Sequence, residues 1–210
     1  MYILIIVTVK HKKLIILSSV VLMTMMILIL PSSSSSFNIQ KAMAQQQASE
    51  STYINQKDGF TLKYPYGWKV VAENFLGVSV LIKPSKNDST TLFSTITSHI
   101  NQIDIIDANR VNQSEIRLVL EGIRNNFNPS QYPNANFLEQ TTVNIDGHLG
   151  FKTILTYDHF VHGKVKAADI QLPVSTRIFV LDYISKPDEF ASLAPIFEKI
   201  TQSFKTLPSK

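Results

Sequence analysis

The chain has 210 residues, enough for one domain of ordinary size plus an appendage. It contains no cysteine, which excludes disulfides, thiolate metal sites, a cysteine nucleophile and a lipidated cysteine. The formal charge of +4 would favour nucleic acid or an anionic surface, but its source is local. Four of the 20 basic residues precede Gln45 and all 16 acidic residues follow it. The remainder is formally neutral, so we expect no binding to nucleic acid.

The N-terminal segment has the pattern of an export signal. The basic cluster Lys10 to Lys13 precedes an apolar stretch at residues 14–30, which predicts a helix slightly shorter than a bilayer core. Ala42-Met43-Ala44 has the small-x-small form that signal peptidase requires, so residues 1–44 are interpreted as a signal peptide. The long interval between Leu30 and Ala44 favours the alternative, an uncleaved anchor. Both alternatives place the domain outside the cytoplasm, with membrane contact only through this segment.

Residues 45–52 are polar and predict a linker, and the domain is expected to occupy residues 53–210. Patterns of period two, separated by turn residues, predict the first strands. These strands are Tyr53–Gln56, Phe60–Tyr64, Val70–Ala72, Gly77–Lys83 and Leu92–His99. Asp58-Gly59 is expected to turn the first hairpin.

The period then changes to that of a helix. Apolar residues recur at spacings of three and four, and they are Ile116, Leu120, Ile123 and Phe127. Asn112 and Glu115 resemble a capping box, so we predict a helix over residues 112–126. A loop rich in asparagine and proline follows, from Asn128 to Asn136.

The second half repeats the order of strands and helix. Predicted strands are Phe137–Ile145, His148–Tyr157, Lys164–Leu172 and Thr176–Ile184. Asp146-Gly147 is expected to turn one hairpin, and Pro173 predicts a bulge or a sheet edge. The C-terminus is predicted helical, with Pro195 marking a kink or a fresh start. This order predicts an α+β domain, with a mainly antiparallel twisted sheet and helices packed on it.

The sequence contains no phosphate-binding glycine loop, no Gly-x-Ser-x-Gly and no His-Glu-x-x-His. We therefore predict no enzyme activity, no cofactor and no catalytic, cofactor-binding or metal-binding residue. His159 and His162 lie three apart in a predicted turn, but metal sites need further ligands. The available candidates are Asp158, Asp169, His99 and His148. We interpret the two histidines as solvated turn residues.

Two triplets fit the acceptor pattern for N-glycosylation, one headed by Asn87 and one by Asn112. Such triplets arise often by chance. A capping role for the Asn112 side chain would further weaken its case as an acceptor.

The segment Gly59-Phe60-Thr61-Leu62-Lys63-Tyr64-Pro65-Tyr66-Gly67-Trp68 resembles the opening of PsbP-like domains. The similarity continues in Val143 to Phe151 and from Arg177 to Phe204. The resemblance implies an α/β/α sandwich whose members dock on larger partners without catalysing a reaction. No metal-binding residue of the plant protein is matched. Trp68 is predicted to fill the core below the sheet.

We therefore expect an extracytoplasmic, non-catalytic adaptor or assembly module that docks on a membrane-associated protein. The alternative is an extracytoplasmic module that binds a small ligand or a metal. Candidate surfaces are the Asn128 to Asn136 loop with Tyr132, and the turn from Asp158 to Lys164. A deep apolar pocket with convergent polar groups would favour a ligand. A flat face with exposed aromatic residues would favour a protein partner.

Overall fold

A computed structural model describes residues 3–9, 12–18, 50–75, 77–85, 90–99 and 112–208. The first strands are β1 (Ile3–Val9), β2 (Lys12–Ser18), β3 (Glu50–Asn55), β4 (Phe60–Pro65), β5 (Trp68–Phe75), β6 (Val78–Pro84) and β7 (Leu92–His99). After helix α1 (Gln113–Asn125) come β8 (Asn136–Ile145), β9 (His148–His159), β10 (Gly163–Val174) and β11 (Arg177–Ser185). Helix α2 (Pro187–Gln202) and the short β12 (Lys205–Thr206) close the chain.

The centre of the domain is a seven-stranded antiparallel sheet in the order β5-β6-β7-β11-β10-β9-β8. Alternation along each strand gives this sheet two differently covered sides. We call face A the side that carries Phe179 and Leu181 of β11, and face B the side that carries Val180 and Asp182. The predicted α+β class and mainly antiparallel sheet are confirmed.

Face A is covered by α2 together with a second, three-stranded sheet in the order β12-β4-β3. Aromatic rings fill this interface, and Trp68 is buried with its ring edge-on to Phe197 at 5.9 Å between centroids. Tyr183 of β11 stacks on the same Phe197 at 4.3 Å. The predicted core position of Trp68 is thus confirmed.

Face B is covered at one end by α1. Val119 and Ile123 of the helix pack on Phe151 of β9. The helix begins as predicted, since the Asn112 side chain accepts hydrogen bonds from the amides of Ser114 and Glu115, both at 3.0 Å. The capping box closes with the Asn112 amide donating to the Glu115 carboxylate at 3.1 Å.

The predicted turn at Asp146-Gly147 joins β8 and β9 with both residues in the left-handed region, at φ 53° and 79°. This geometry matches a two-residue hairpin turn of the type favoured by Asp-Gly. The Asp146 carboxylate also accepts from the Thr206 amide and the Lys205 ammonium, both at 2.9 Å. The turn between β8 and β9 is therefore hydrogen-bonded to β12.

One predicted boundary needs correction; at Pro195 the structure excludes a fresh helix start, and at Pro173 it bears out the sheet edge rather than the bulge. Strand β3 begins at Glu50, inside the segment assigned to the linker, because residues 50–55 pair fully with β4. Pro195 lies within α2. The helix starts at Pro187, and proline is tolerated at this first position because the backbone N–H that it lacks would have no partner within the helix. Pro173 causes no bulge: it pairs with Ile178 and lies beyond the last residue of β10 that pairs with β9. Its missing N–H is tolerated there because β10 is locally an edge.

The N-terminal strands β1 and β2 pair with each other in an antiparallel hairpin. Residues 14–18, assigned by the sequence to the start of an apolar helix, thus lie in a strand, and their isoleucines favour that state. Residues 19–49, with the predicted cleavage position after Ala44, lie outside the described residues. Within the described ranges, no helix is both long and apolar enough to cross a bilayer.

Candidate functional site

A cavity of about 300 Å³ opens on face B, beyond the part that α1 covers. Its walls are mainly aliphatic side chains from five strands, and they include Val78, Leu92, Ile96, Leu155, Val180 and Ile184. The volume lies at the lower end of the range for small-molecule pockets. The cavity can receive a small ligand or a single inserted side chain.

The two surfaces that the sequence singled out separately meet at this cavity. Tyr132, from the loop between α1 and β8, lies edge-on to Tyr157 of β9 with 5.0 Å between centroids. The backbone N–H of Asp158 donates to the Pro133 carbonyl at 2.9 Å. The side-chain amide of Asn134 donates to the Asp158 carboxylate at 2.7 Å. The loop and the turn therefore form one rim.

Two carboxyl groups lie on the same side of the sheet within the cavity. Asp169 of β10 and Asp182 of β11 are direct cross-strand partners and hydrogen-bond to each other. Asp169 is only 6% exposed, whereas Asp182 is partly exposed. The Gln171 amide donates to the Asp169 carboxylate at 3.4 Å. Two ionised carboxylates directly opposite each other would repel and destabilise the sheet.

Burial raises the pKa of Asp169 to about 6, against the opposing effect of hydrogen bonds from Asp182 and Gln171. Burial and the neighbouring Asp169 charge raise the pKa of Asp182 well above its ordinary value. Two interacting carboxyls of this kind titrate as a unit. Burial of both groups and their mutual repulsion therefore favour protonated forms of the pair over the doubly ionised form.

Further acceptors beside the pair lack donors. The side-chain Oε1 atoms of Gln131, which lines the cavity, and of Gln171 are buried without a hydrogen-bond partner in the part of the chain that the structure describes. Buried polar atoms are nearly always hydrogen-bonded, so these two unpaired acceptors are unusual. The hydroxyl groups that line the cavity, on Ser94, Ser130, Tyr132 and Tyr157, leave these two oxygens unpaired.

The turn between β9 and β10 places His159 and His162 with stacked rings, 4.7 Å between centroids. The His159 Nδ1 accepts from the amides of Val161 and His162 at 3.2 and 3.3 Å. Burial, and then the neighbouring His162, lower the pKa of His159 to about 4, so its ring is neutral at physiological pH. These contacts give His159 a structural role in the turn.

The candidates His148, Asp158 and Asp169 do not complete a metal site with the two histidines. His148 begins β9 and His159 ends it, which separates them by about 36 Å at the usual rise of a strand. Asp158 is bound by Asn134, and Asp169 faces Asp182. Among the residues described, no three histidine, aspartate or glutamate side chains form a group able to hold a metal.

The two glycosylation triplets fall in different settings. Asn112 uses its side-chain oxygen to cap α1, as the sequence suggested. Asn87 lies outside the described residues.

Comparison with known proteins gives the family. A profile described as PsbP-like protein matches residues 13–206, nearly the whole chain. The chain belongs to the PsbP-like family. A search of curated proteins gave no match.

Two solved structures share the fold of this PsbP-like chain. The solution structure of cyanobacterial PsbP (CyanoP) from Synechocystis sp. PCC 6803 has a TM-score of 0.54 at 16% identity, covering 83% of this chain and 98% of that one. The crystal structure of LpqN, involved in cell envelope biogenesis of Mycobacterium tuberculosis, has a TM-score of 0.54 at 15% identity, covering 81% of this chain and 97% of that one. At such identities the likeness establishes the fold.

Sequence reasoning missed the carboxyl pair of this PsbP-like domain. A signal was present: along β10 the face that carries Val165 and Ala167 is apolar until Asp169 interrupts it. On β11, Asp182 interrupts the apolar series between Val180 and Ile184 in the same way. A buried carboxylate in an apolar alternation is uncommon and points to a special environment.

Proposed function

We propose that this chain is a non-catalytic, extracytoplasmic PsbP-like module that docks on a larger, membrane-associated protein through the cavity on face B and its rim. The observation that carries the proposal is the exposed aromatic turn beside the cavity. Phe160, which also lines the cavity, is 70% exposed, and the adjacent Val161 is 46% exposed. Large apolar side chains held at the edge of a concave site are typical anchors of protein interfaces.

The location rests on the N-terminal pattern. A basic cluster before an apolar stretch supports translocation of the following domain. LpqN, which shares the fold, is by description involved in cell envelope biogenesis, and this agrees with a position outside the cytoplasm.

The carboxyl pair supports binding more than catalysis. A pair of carboxyls that activates water must present both groups to the water and substrate. Here both groups line the cavity, but Asp169 is only 6% exposed and Asp182 is the more accessible of the two. A second function, capture of a free small molecule, is favoured by the cavity itself, because its walls are apolar and its few polar groups converge.

Site-specific photo-crosslinking in intact cells tests the docking proposal. A photoreactive phenylalanine analogue at Phe160 should give a discrete adduct with one protein. The same analogue at Ile54, which is 55% exposed on β3 over the opposite face of the large sheet, is the matched control and should give none. Adducts of equal yield at both positions, or none at Phe160 in a folded and expressed variant, would contradict docking through this rim.

A further inference from the structure

We infer that the cavity on face B receives a lysine or arginine side chain of the docked protein, with Asp169 and Asp182 as its counter-charge. The inference rests on the proposed docking function and goes beyond it by naming the chemistry of the inserted group. Arginine is also among the residues that most often dominate interface energies.

The first support is the hydrogen-bond balance of the cavity. The two carboxyl groups supply four acceptor oxygens, and Gln131 adds an Oε1 atom that has no donor among the described residues. Gln171, itself only 7% exposed, donates to Asp169 and leaves its own Oε1 unpaired within the described part of the chain. An ammonium or guanidinium group consists only of donors, so it supplies what these oxygens lack.

The second support is the shape and chemistry of the walls. Aliphatic side chains can cover the stem of a lysine or arginine while its charged end reaches the carboxyls. Tyr132 and Tyr157 line the same cavity, and their ring faces attract cations. No lysine or arginine lies among the cavity-lining residues that the structure describes, so the negative charge has no partner there from its own chain.

Other occupants fit less well. An anion would be repelled by the carboxyl pair, and a neutral apolar group would cover the acceptors without pairing them. Calcium takes six to eight oxygen ligands, whereas the cavity offers two adjacent carboxyls among methyl-rich walls. The occupant that best fits the cavity is therefore a positively charged N–H donor carried on an apolar stem.

The carboxyl pair also makes binding depend on pH. A bound cation favours the ionised carboxylates, so a proton held by the pair is released on binding and affinity rises with pH, at most about tenfold per pH unit. The other titratable groups lining the cavity are Tyr132, Tyr157 and His159. Burial raises the pKa of both tyrosines, and His159 is already neutral above pH 5, so none of them supplies this proton.

The test uses the full-length chain and three probes with the same n-butyl stem: n-butylguanidinium, n-butylammonium and the neutral n-butylurea, whose planar head matches the guanidinium in shape. Titration followed by NMR should show both cations binding at least about tenfold more tightly than the urea, with shifts at the cavity. Asp182→Asn should weaken cation binding at least about tenfold and leave urea binding unchanged. Asp188→Asn, an exposed carboxyl on α2, is the matched control and should change neither.

Several results would overturn the inference. Equal affinity for n-butylurea in the wild-type chain would do so without any variant, as would binding that is independent of pH between 5 and 8. Stoichiometric binding of manganese, zinc or calcium that Asp182→Asn abolishes would replace the cation by a metal. If the probes bind but Phe160 crosslinks no protein, docking fails and the occupant is a free amine. If Phe160 crosslinks a protein while the probes do not bind, docking stands and the inference alone fails.

Discussion

The carboxyl pair makes a specific prediction about stability, tested by Asp169→Asn. Asparagine keeps the shape of the side chain and its Oδ1 can still accept from Asp182, but it cannot ionise. Burial raises the pKa of Asp169 from 3.8 to about 6, so the folded chain binds this proton more tightly than the unfolded chain does. The resulting stabilisation is complete below about pH 4 and is lost as pH rises through about 6.

The magnitude follows from the two pKa values. Each pH unit between them corresponds to about 1.4 kcal/mol, so ionisation of Asp169 lowers the free energy of unfolding by about 3 kcal/mol above pH 6. The variant avoids this loss. Asp169→Asn should therefore be more stable than the wild type by about 3 kcal/mol at pH 8 and nearly equal to it at pH 4. For a chain of this length that is about 6 to 12 °C in Tm at pH 8.

The assay is thermal and urea unfolding at pH 4, 6 and 8, followed by circular dichroism. The control is Asp188→Asn, which replaces an exposed carboxylate in the first turn of α2 and should stay within about 0.5 kcal/mol of wild type at each pH. A variant that is destabilised equally at pH 4 and pH 8 would refute the argument. Such a result would mean that Asp169 contributes through packing and hydrogen bonds that do not depend on its ionisation.

Three further predictions concern the scaffold and the export segment. Trp68→Ala should lower the free energy of unfolding by about 3 to 5 kcal/mol, because its ring is buried against Phe197; a Tm equal to wild type would show that the ring is not part of the core. Burial opposes ionisation of Asp146, but the hydrogen bonds from Thr206 and Lys205 outweigh it and lower its pKa, so Asp146→Asn should cost about 1 to 2 kcal/mol at pH 7. That difference should vanish as pH falls below the depressed pKa, and a constant difference down to pH 2 would contradict the charge argument. Mass spectrometry of the native protein should find Gln45 as the first residue, whereas an abundant peptide spanning Ala44-Gln45 would establish the anchor.

Most strands and the start of α1 were predictable because their signals are local. Asp146-Gly147 fixes a two-residue hairpin through its positive φ angles, and Asn112 with Glu115 fixes the helix start. Each signal involves residues only a few positions apart. Local chemistry therefore gave these elements to within a few residues.

The carboxyl pair was not predictable in the same way. The turn between β10 and β11 uses Ser175 at φ 53°, without the Gly, Asn or Asp that usually marks such a turn. The sequence therefore placed the break at Pro173, which hid the register that sets Asp169 opposite Asp182. A one-residue difference in register changes the face on which every side chain lies.

The rim of the cavity depends on contacts that are distant in sequence. Tyr132 meets Tyr157, and Asn134 binds Asp158 across 24 positions. The sequence indicated both segments as candidate surfaces, but neither carries a pattern that predicts their contact. Long-range packing alone brings them together.

The central claim is that a basic side chain of a partner enters the cavity beside Phe160 and Val161. The most direct measurement places a photoreactive analogue at Val161, crosslinks in intact cells, cleaves the adduct with a glutamyl endopeptidase and sequences the joined peptide. We expect one partner peptide with a lysine or arginine close to the crosslinked residue, and a lower yield in the Asp182→Asn background. A joined peptide without a basic residue, or a yield that Asp182→Asn leaves unchanged, would contradict it.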